Sequence, residues 1–475
     1  MSSEEKKGNM TYTSYKIKFN NFDFISLDKL EIKKSIYEHS KAVITGVISQ
    51  DNITDYEVYL TGDDPQLLIT YADDDAKILF KGIIENYKFI HKNYDYYLEL
   101  EALSYSRLLE RKKNSRVYQN LGTTYNQVFS NIMDENPEFR IAFADESIGE
   151  SQLVSEDYPV VLQYKETEWD FIKRLASYQN QILIVDDTKD DSETINILAG
   201  PHENEPQELN NVSGSKSKKT DKKNNIFDYY KIYHHEHYRS KDIFDIGKSV
   251  KYKLNNQKDT KMELIILKNR IYIDNEILCS DLTLAEKDAI TVRKEKRRLP
   301  IVGRSFRAEV KQLDNMHRAQ VQFLDIFDEY DEGTAYYFPL DKPYTTAYLA
   351  PEIGDIVDVY FKSKNEKHAT IKSSSTDNNQ EVENDPADKI ITTPTGYQIK
   401  INNELILISS KDNKSLVEIK EDGLKMISDK NIVEMSSDSI KMNTEKGNVS
   451  MDSSKTELAF GSKKIEITDS AIDMK

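Results

Sequence analysis

Cysteine is almost missing from this chain. Of 475 residues only Cys279 carries a thiol, so no disulfide framework holds the fold, and folding in a reducing cytosol is expected. Long apolar runs are missing as well: no window reaches the roughly 18 apolar residues of a membrane-spanning helix. Met1 to Met10 is polar and holds no apolar h-region, so export behind a cleaved leader is not expected. Any exit from the cytoplasm is expected to need no signal peptide. Positive charge is in deficit. The 65 Lys and Arg against 82 Asp and Glu leave a net charge of −17, which argues against nucleic acid as a partner. What is present is a hydrophobic content of 38 %, with 17 Phe and 29 Tyr. That supports real cores, and the length predicts about three or four domains.

The C-terminal region carries a beat of apolar, any residue, apolar. The pairs are Val417/Ile419, Leu424/Met426, Val433/Met435, Ile440/Met442, Val449/Met451, Leu458/Phe460, Ile465/Ile467 and Ile472/Met474, with starts 7 or 9 residues apart. Each pair puts two side chains on one face of a strand, and the Ser, Asp, Asn, Lys and Gly between them have turn chemistry. A short fixed repeat of this kind signals a β-helix or related fibre. There are too few units for a single-chain solenoid with a core of its own, since repeat folds need several stacked neighbours. The gain from removing apolar surface from water therefore comes on association, and an obligate homotrimer is expected, with interleaved strands pairing between chains.

Upstream, 11–110 reads as antiparallel β, with alternating segments at Tyr15–Phe19, Ala42–Ile48, Glu57–Leu60, Leu67–Tyr71, Ile78–Lys88 and Tyr94–Leu103. The period then changes. Thr123–Met133 predicts a helix with Tyr125, Val128, Phe129 and Ile132 on one stripe. Thr167–Tyr178 predicts another, with Thr167 as N-cap and Asp170 in a capping-box position. Ile182–Val185 reads as a buried strand. The polar stretch 201–225 reads as a loop or linker. β-structure resumes over 226–300, with strands at Ser249–Leu254 and Met262–Leu267 and a helical turn near 284–289. A further β block covers 303–372, and a polar segment from about Ser373 leads into the rod.

Three segments resemble one family. Tyr164, Glu166, Asp170, Phe171, Arg174 and Leu175 fit a Tyr-x-Glu-x-x-x-Asp-Phe-x-x-Arg-Leu segment. Met316–Phe323, followed by Pro351, Glu352, Gly354 and Asp355 ahead of Ile356–Phe361, resembles that family's OB-type barrel, although His317-Arg318-Ala319 stands where Gly-Arg-Val is commoner. Thr395–Ile399 resembles the opening of its β-helix. The family is the VgrG-type spike and hub of contractile injection systems, found in type VI secretion, contractile phage tails and tailocins. The resemblance implies a mainly β chain with two barrel-like hub domains (1–115 and 226–302), a small helical insertion (116–200), a linker or insertion (201–225), an OB-fold neck (303–372), a linker (373–389) and a trimeric β-helix needle (390–475).

It also implies a structural role in an injection machine, with the hub meeting an Hcp-like hexameric tail tube and baseplate proteins. A PAAR-like tip protein and effectors would meet Ile472, Asp473, Met474 and Lys475, and the needle would puncture a target cell envelope. Purified protein is expected to show a broad head and a thin shaft. No enzyme and no cofactor are expected: the stretch from Phe361 to Ile390 is too short for a hydrolase, and Lys475 follows directly on the last pair. A β-helical adhesin or carbohydrate-active enzyme is the alternative class. The resemblance alone does not separate a secretion spike from a phage or tailocin baseplate hub.

Other features have plainer readings. His235 and His237 have the spacing of two zinc ligands on one strand face, but no cysteine lies near, and a polar strand edge accounts for them. Asp325 to Gly333 lacks the carboxylate spacing of an EF-hand and reads as a solvated loop. Asp73–Asp75 reads as a turn and Arg293–Arg298 as a basic hub surface. Asp170 and Arg174, spaced i, i+4, read as a helix-surface ion pair.

Overall fold

The computed structural model describes residues 16–71, 77–188, 195–209, 213–221, 231–240, 243–252, 262–286, 299–341, 351–374, 388–393 and 395–475. The chain divides into two units, Met1–Asp377 and Asn378–Lys475. The acidic triplet Asp73–Asp75, the basic run Arg293–Arg298 and most of the 373–389 linker lie outside the described residues.

The first unit is built on a twelve-stranded sheet. Its first arc holds Ile17–Phe19, Ser26–Ser35, Lys41–Ile48, Gln66–Tyr71, Lys77–Lys92 and Asp95–Ser104. Alternation in Lys41–Ile48 sends Ala42, Ile44 and Ile48 inward, where they meet Leu67, Ile69, Leu98 and Leu100. Gly82 is obligatory on the long strand, because a Cβ there would sit against the Leu103 carbonyl. Its second arc, including Met262–Asp274 and Ile277–Glu286, continues the same sheet. Glu31–Ser35 pairs antiparallel with Lys268–Tyr272. The two expected hub barrels are thus one continuous sheet among the described residues.

Four helices are described: α1 (Ile53–Leu60), α2 (Tyr125–Glu135), α3 (Glu146–Gly149) and α4 (Glu168–Tyr178). In α2 the Thr124 hydroxyl accepts from Gln127 N and the Gln127 side chain accepts from Thr124 N, a complete capping box. In α4 the Thr167 hydroxyl accepts from Asp170 N. The expected stripe of Tyr125, Val128, Phe129 and Ile132 is buried together with Trp169, Phe171 and Leu175. A three-stranded sheet of Phe139–Phe143, Leu183–Asp186 and Ile195–Ala199 underlies these helices.

A five-stranded sheet follows in the order Phe338–Pro339, Arg318–Phe323, Arg304–Leu313, Ile356–Phe361 and Ala369–Ser374. Its two ends meet at a bridge between Leu340 and Ile371, and Asp341 N donates to Ile371 O at 2.7 Å. The sheet therefore curls into a small barrel around Phe306, Val321, Phe323, Phe338, Val359 and Phe361. The Pro351–Asp355 motif is the turn before one barrel strand. Gly354 takes φ +95°, and the Asp355 carboxylate accepts from Glu352 N at 2.8 Å.

Three local readings differ. Glu57–Leu60 is the end of α1, because Tyr56 and Leu60, four residues apart, are the side chains that bury. The 201–225 stretch contains strands Gln207–Glu208 and Ser213–Asp221, the latter paired with Lys231–Ser240. Leu284–Glu286 ends a strand instead of opening a helical turn, held by pairing with Leu264–Ile266.

The second unit is an eleven-stranded antiparallel meander from Lys389–Thr392 to Ile472–Met474, in which each strand pairs with its neighbour in sequence. Within the one chain described, the backbone partners of these strands all come from that chain. Between its first two strands, where the β-helix opening was expected, Gly396 takes φ +92° and its N–H donates to Thr393 O, while Thr393 N donates to Tyr397 O.

Candidate functional site

The register of the meander turns the sequence beat into two continuous apolar rows. One runs through Ile391, Ile399, Ile408, Val417, Met426, Val433, Met442, Val449, Leu458, Ile465 and Met474, each opposite the next. The other runs through Ile401, Ile406, Ile419, Leu424, Met435, Ile440, Met451, Thr456, Ile467 and Ile472. A period of two places both rows on one face. Fifteen of the sixteen expected core residues lie in these rows. Phe460 does not: it stands opposite Gly447 and Lys463, and Thr456 takes the place expected of it. Its ring fills the space where a Gly447 side chain would be, a cross-strand cover of a bare glycine. The first rungs, Ile391, Ile399/Ile401 and Ile406/Ile408, were not expected, although the same apolar-x-apolar spacing was there to find them.

Within one chain these rows are not buried. Met435 and Met442 are each 43 % exposed, Leu458 47 % and Met474 78 %. An apolar strip this long on a single chain marks an interaction face.

The residue between each apolar pair points to the opposite face. There Glu418, Lys425, Glu434 and Lys441 alternate in sign, followed by Ser450, Glu457, Glu466 and Asp473. Lys425 Nζ lies 2.9 Å from Glu434. Where Glu457 and Glu466 stand directly opposite, Lys464 reaches both, at 2.7 and 3.0 Å. Hydrogen bonds from Lys464 and Lys455 hold Glu457 below the usual carboxylate range. The meander thus has an apolar side and a mostly charged side, on which Leu407, Leu416, Ile427 and Ile432 also lie.

In the first unit two of the family-motif residues, Glu166 and Arg174, meet in a buried ion pair. Arg174 Nη2 donates to Glu166 Oε2 at 2.9 Å and Nε to Oε1 at 3.3 Å. Nη2 also donates to Leu162 O at 2.9 Å, and Nη1 to Tyr178 Oη at 2.7 Å and to Glu366 Oε1 at 3.4 Å. Burial pushes its pKa down, but Tyr178, Glu166 and Glu366 outweigh this and raise it. The expected Asp170–Arg174 pair does not form. Asp170 faces solvent and pairs with Lys173 at 2.9 Å, because Arg174 lies on the buried side of α4 with Phe171 and Leu175. Tyr164 packs edge-on against Phe306 of the barrel, with ring centroids 5.1 Å apart. Glu366 belongs to the barrel region, so these residues fasten insertion to barrel.

The acidic loop 325–333 is likewise committed. Asp325 holds Arg307, Asp331 accepts from Thr334, Glu332 accepts from Gln312, and Phe327–Asp328 pairs parallel with Arg116–Val117. It straps the barrel to the insertion instead of lying free in solvent. His235 and His237 lie on strand Lys231–Ser240, opposite Ser217 and Ser215. Among the described residues no group of three or more His, Cys, Asp or Glu is arranged to hold a metal.

No family model and no curated protein matches the sequence. Solved structures do match the fold. The Escherichia coli c3393 protein, described as a component of the type VI secretion system with structural similarity to the T4 bacteriophage tail proteins gp27 and gp5, is 14 % identical, with a TM-score of 0.50. The match covers 76 % of this chain and all of that one. A chain of the Francisella PdpA–VgrG complex in its half-lidded form is 9 % identical, with a TM-score of 0.51, covering 97 % of this chain and 87 % of that one. In the lidless PdpA–VgrG complex the values are 10 % and 0.51, covering 97 % of each chain. The likeness extends over nearly the whole chain and is a likeness of fold.

Proposed function

We propose that this chain is the structural spike of a contractile injection machine, and that three copies close their apolar rows around a common axis. The observation that carries this reading is the pair of long rows, apolar at every rung but Thr456, along a sheet whose other face is mostly charged. Burying one aliphatic or Met side chain contributes about 1.5–3 kcal/mol, and the rows offer that gain rung after rung once another copy covers them. Closure occurs face to face, because each inner strand already has both edges paired within its own chain. A needle built this way is stiff, since no strand moves without opening ladders on both sides.

The first unit then serves as the hub that meets an Hcp-like tube and baseplate. The small barrel is an OB-type neck, and the Ile472–Lys475 end meets a tip protein or effector. Sheath contraction supplies the force, and the spike transmits it without turnover. A baseplate hub-spike of a phage tail or tailocin uses the same parts, in keeping with the described likeness of c3393 to gp27 and gp5. Neighbouring genes distinguish the two.

The test is native mass together with electron microscopy of the purified chain. Three copies per particle and three-fold end views are expected. A monomer in dilute buffer, or peptidoglycan lysis by the purified protein, would overturn the reading.

A further inference from the structure

At the seam between barrel and helical insertion, Gln119 and Asp328 face each other in a way that ordinary protonation leaves incomplete. Gln119 Nε2 donates to Asp328 Oδ2 at 2.6 Å and to Val321 O at 2.9 Å. Asp328 Oδ2 also accepts from Phe323 N at 2.9 Å. The second oxygen of each side chain, Gln119 Oε1 and Asp328 Oδ1, is buried without a partner. Gln119 is 1 % exposed. With an ionised carboxylate both orphans are acceptors, and two acceptors on already joined groups cannot satisfy one another. Leaving both buried and unpaired is costly.

We propose that Asp328 carries a proton on Oδ1 and donates it to Gln119 Oε1, closing a cyclic acid–amide pair that acts as a proton-operated latch between barrel and insertion. One proton, taken from solvent, turns two orphaned acceptors into one donor and one acceptor. The latch is independent of the spike reading, since it concerns a joint inside one chain.

The surroundings favour it. Burial pushes the Asp328 carboxyl up to about 6, partly offset by the Phe323 amide and Gln119, with the Glu329 charge adding to the rise. Its own loop also carries Asp325, Tyr330, Asp331 and Glu332, all acidic or phenolic. Asp325 is taken up by Arg307, and the Tyr330 hydroxyl donates to Gln320 Oε1 on the barrel strand. On the adjoining insertion strand, Arg116 is committed to Glu135 and Glu168. The neighbouring Tyr118 phenol is itself pushed up to about 12 by burial and stays neutral.

The direction follows from linkage. A carboxyl that is harder to ionise in the fold stabilises it fully below its ordinary value of 3.8. That stability is lost as pH rises through the folded value of about 6. The full swing is about a hundredfold in the folding equilibrium.

Asp328→Asn tests the latch, because the Asn amide completes the same ring with Gln119 and does not titrate. The expected result is that D328N matches the wild type near pH 4.5 and exceeds it near pH 8 in urea unfolding, by up to about thirtyfold in equilibrium constant. A D328N deficit that is constant across this range would overturn the proposal, as would D328N being less stable at pH 8. Hydrogen exchange on the wild type gives a second readout that needs no variant. Protection of the Phe323 and Leu121 amides, corrected for the intrinsic pH dependence of exchange, is expected to fall between pH 5 and pH 7.5. Unchanged protection would overturn the latch.

Discussion

At the residue scale, Arg174 is the most consequential single side chain of the first unit. It is 2 % exposed and sits between two carboxylates, Glu166 and Glu366, which are 4 % and 3 % exposed. Removing it leaves buried charge without compensation. Arg174→Leu is therefore expected to cost about 3–5 kcal/mol in urea denaturation. Arg174→Lys keeps the charge but not the forked geometry and is expected to fall between. His39 gives a second test. Its ring stacks on Trp169 at 4.4 Å, and Nδ1 lies 2.7 Å from Ser106 Oγ. Burial holds its pKa below the ordinary value of 6.5, with Glu110 pulling the other way and Lys173 and Arg107 adding to the depression. The neutral ring is the one the fold prefers. Its contribution is complete above pH 6.5 and disappears as pH falls through the lower folded value. Thermal melts of His39→Gln are expected to change less between pH 7 and pH 5 than those of the wild type.

At the element scale, the meander separates face from face. Met435 and Glu434 are adjacent in sequence and point to opposite sides. Met435→Asp places a carboxylate in an apolar row and is expected to abolish the trimer, as read by native mass. Glu434→Ala removes one exposed, solvent-screened pair with Lys425 and is expected to leave both the melting midpoint and the trimer unchanged. How much was legible in the sequence follows the range of each interaction. The rows were legible because a spacing of two is local, and Thr167 announced its helix because capping is local. The place of Phe460 outside the two rows was not legible, because register depends on the partner strand: Gly447, thirteen residues earlier, stands opposite its ring. α1 was misread because Glu57–Leu60 also alternates, and only burial shows that the i, i+4 pair prevails. Arg174 was assigned the wrong partner because Glu366 stands 192 residues away. No local pattern could announce it.

At the scale of the whole molecule, charge and apolar burial make different demands on the assembly. The ion pairs of the meander are exposed and screened by salt, whereas the rows act through the hydrophobic effect, which salt does not weaken in this way. The trimer is therefore expected to persist at about 1 M NaCl, above the ionic strength at which exposed pairs are screened. Native mass at low and high salt checks this, and dissociation in salt would assign assembly to the charged face instead. The sequential ladder governs how the second unit is made. Every strand finds its partner in the stretch emerging just before or after it, so contact order there is as low as a sheet permits. Hairpins of this kind close in about 1–10 μs. A chain drawn out straight, at the ribosome or through a narrow pore, would re-form this unit turn by turn from either end, without waiting for distant segments to meet.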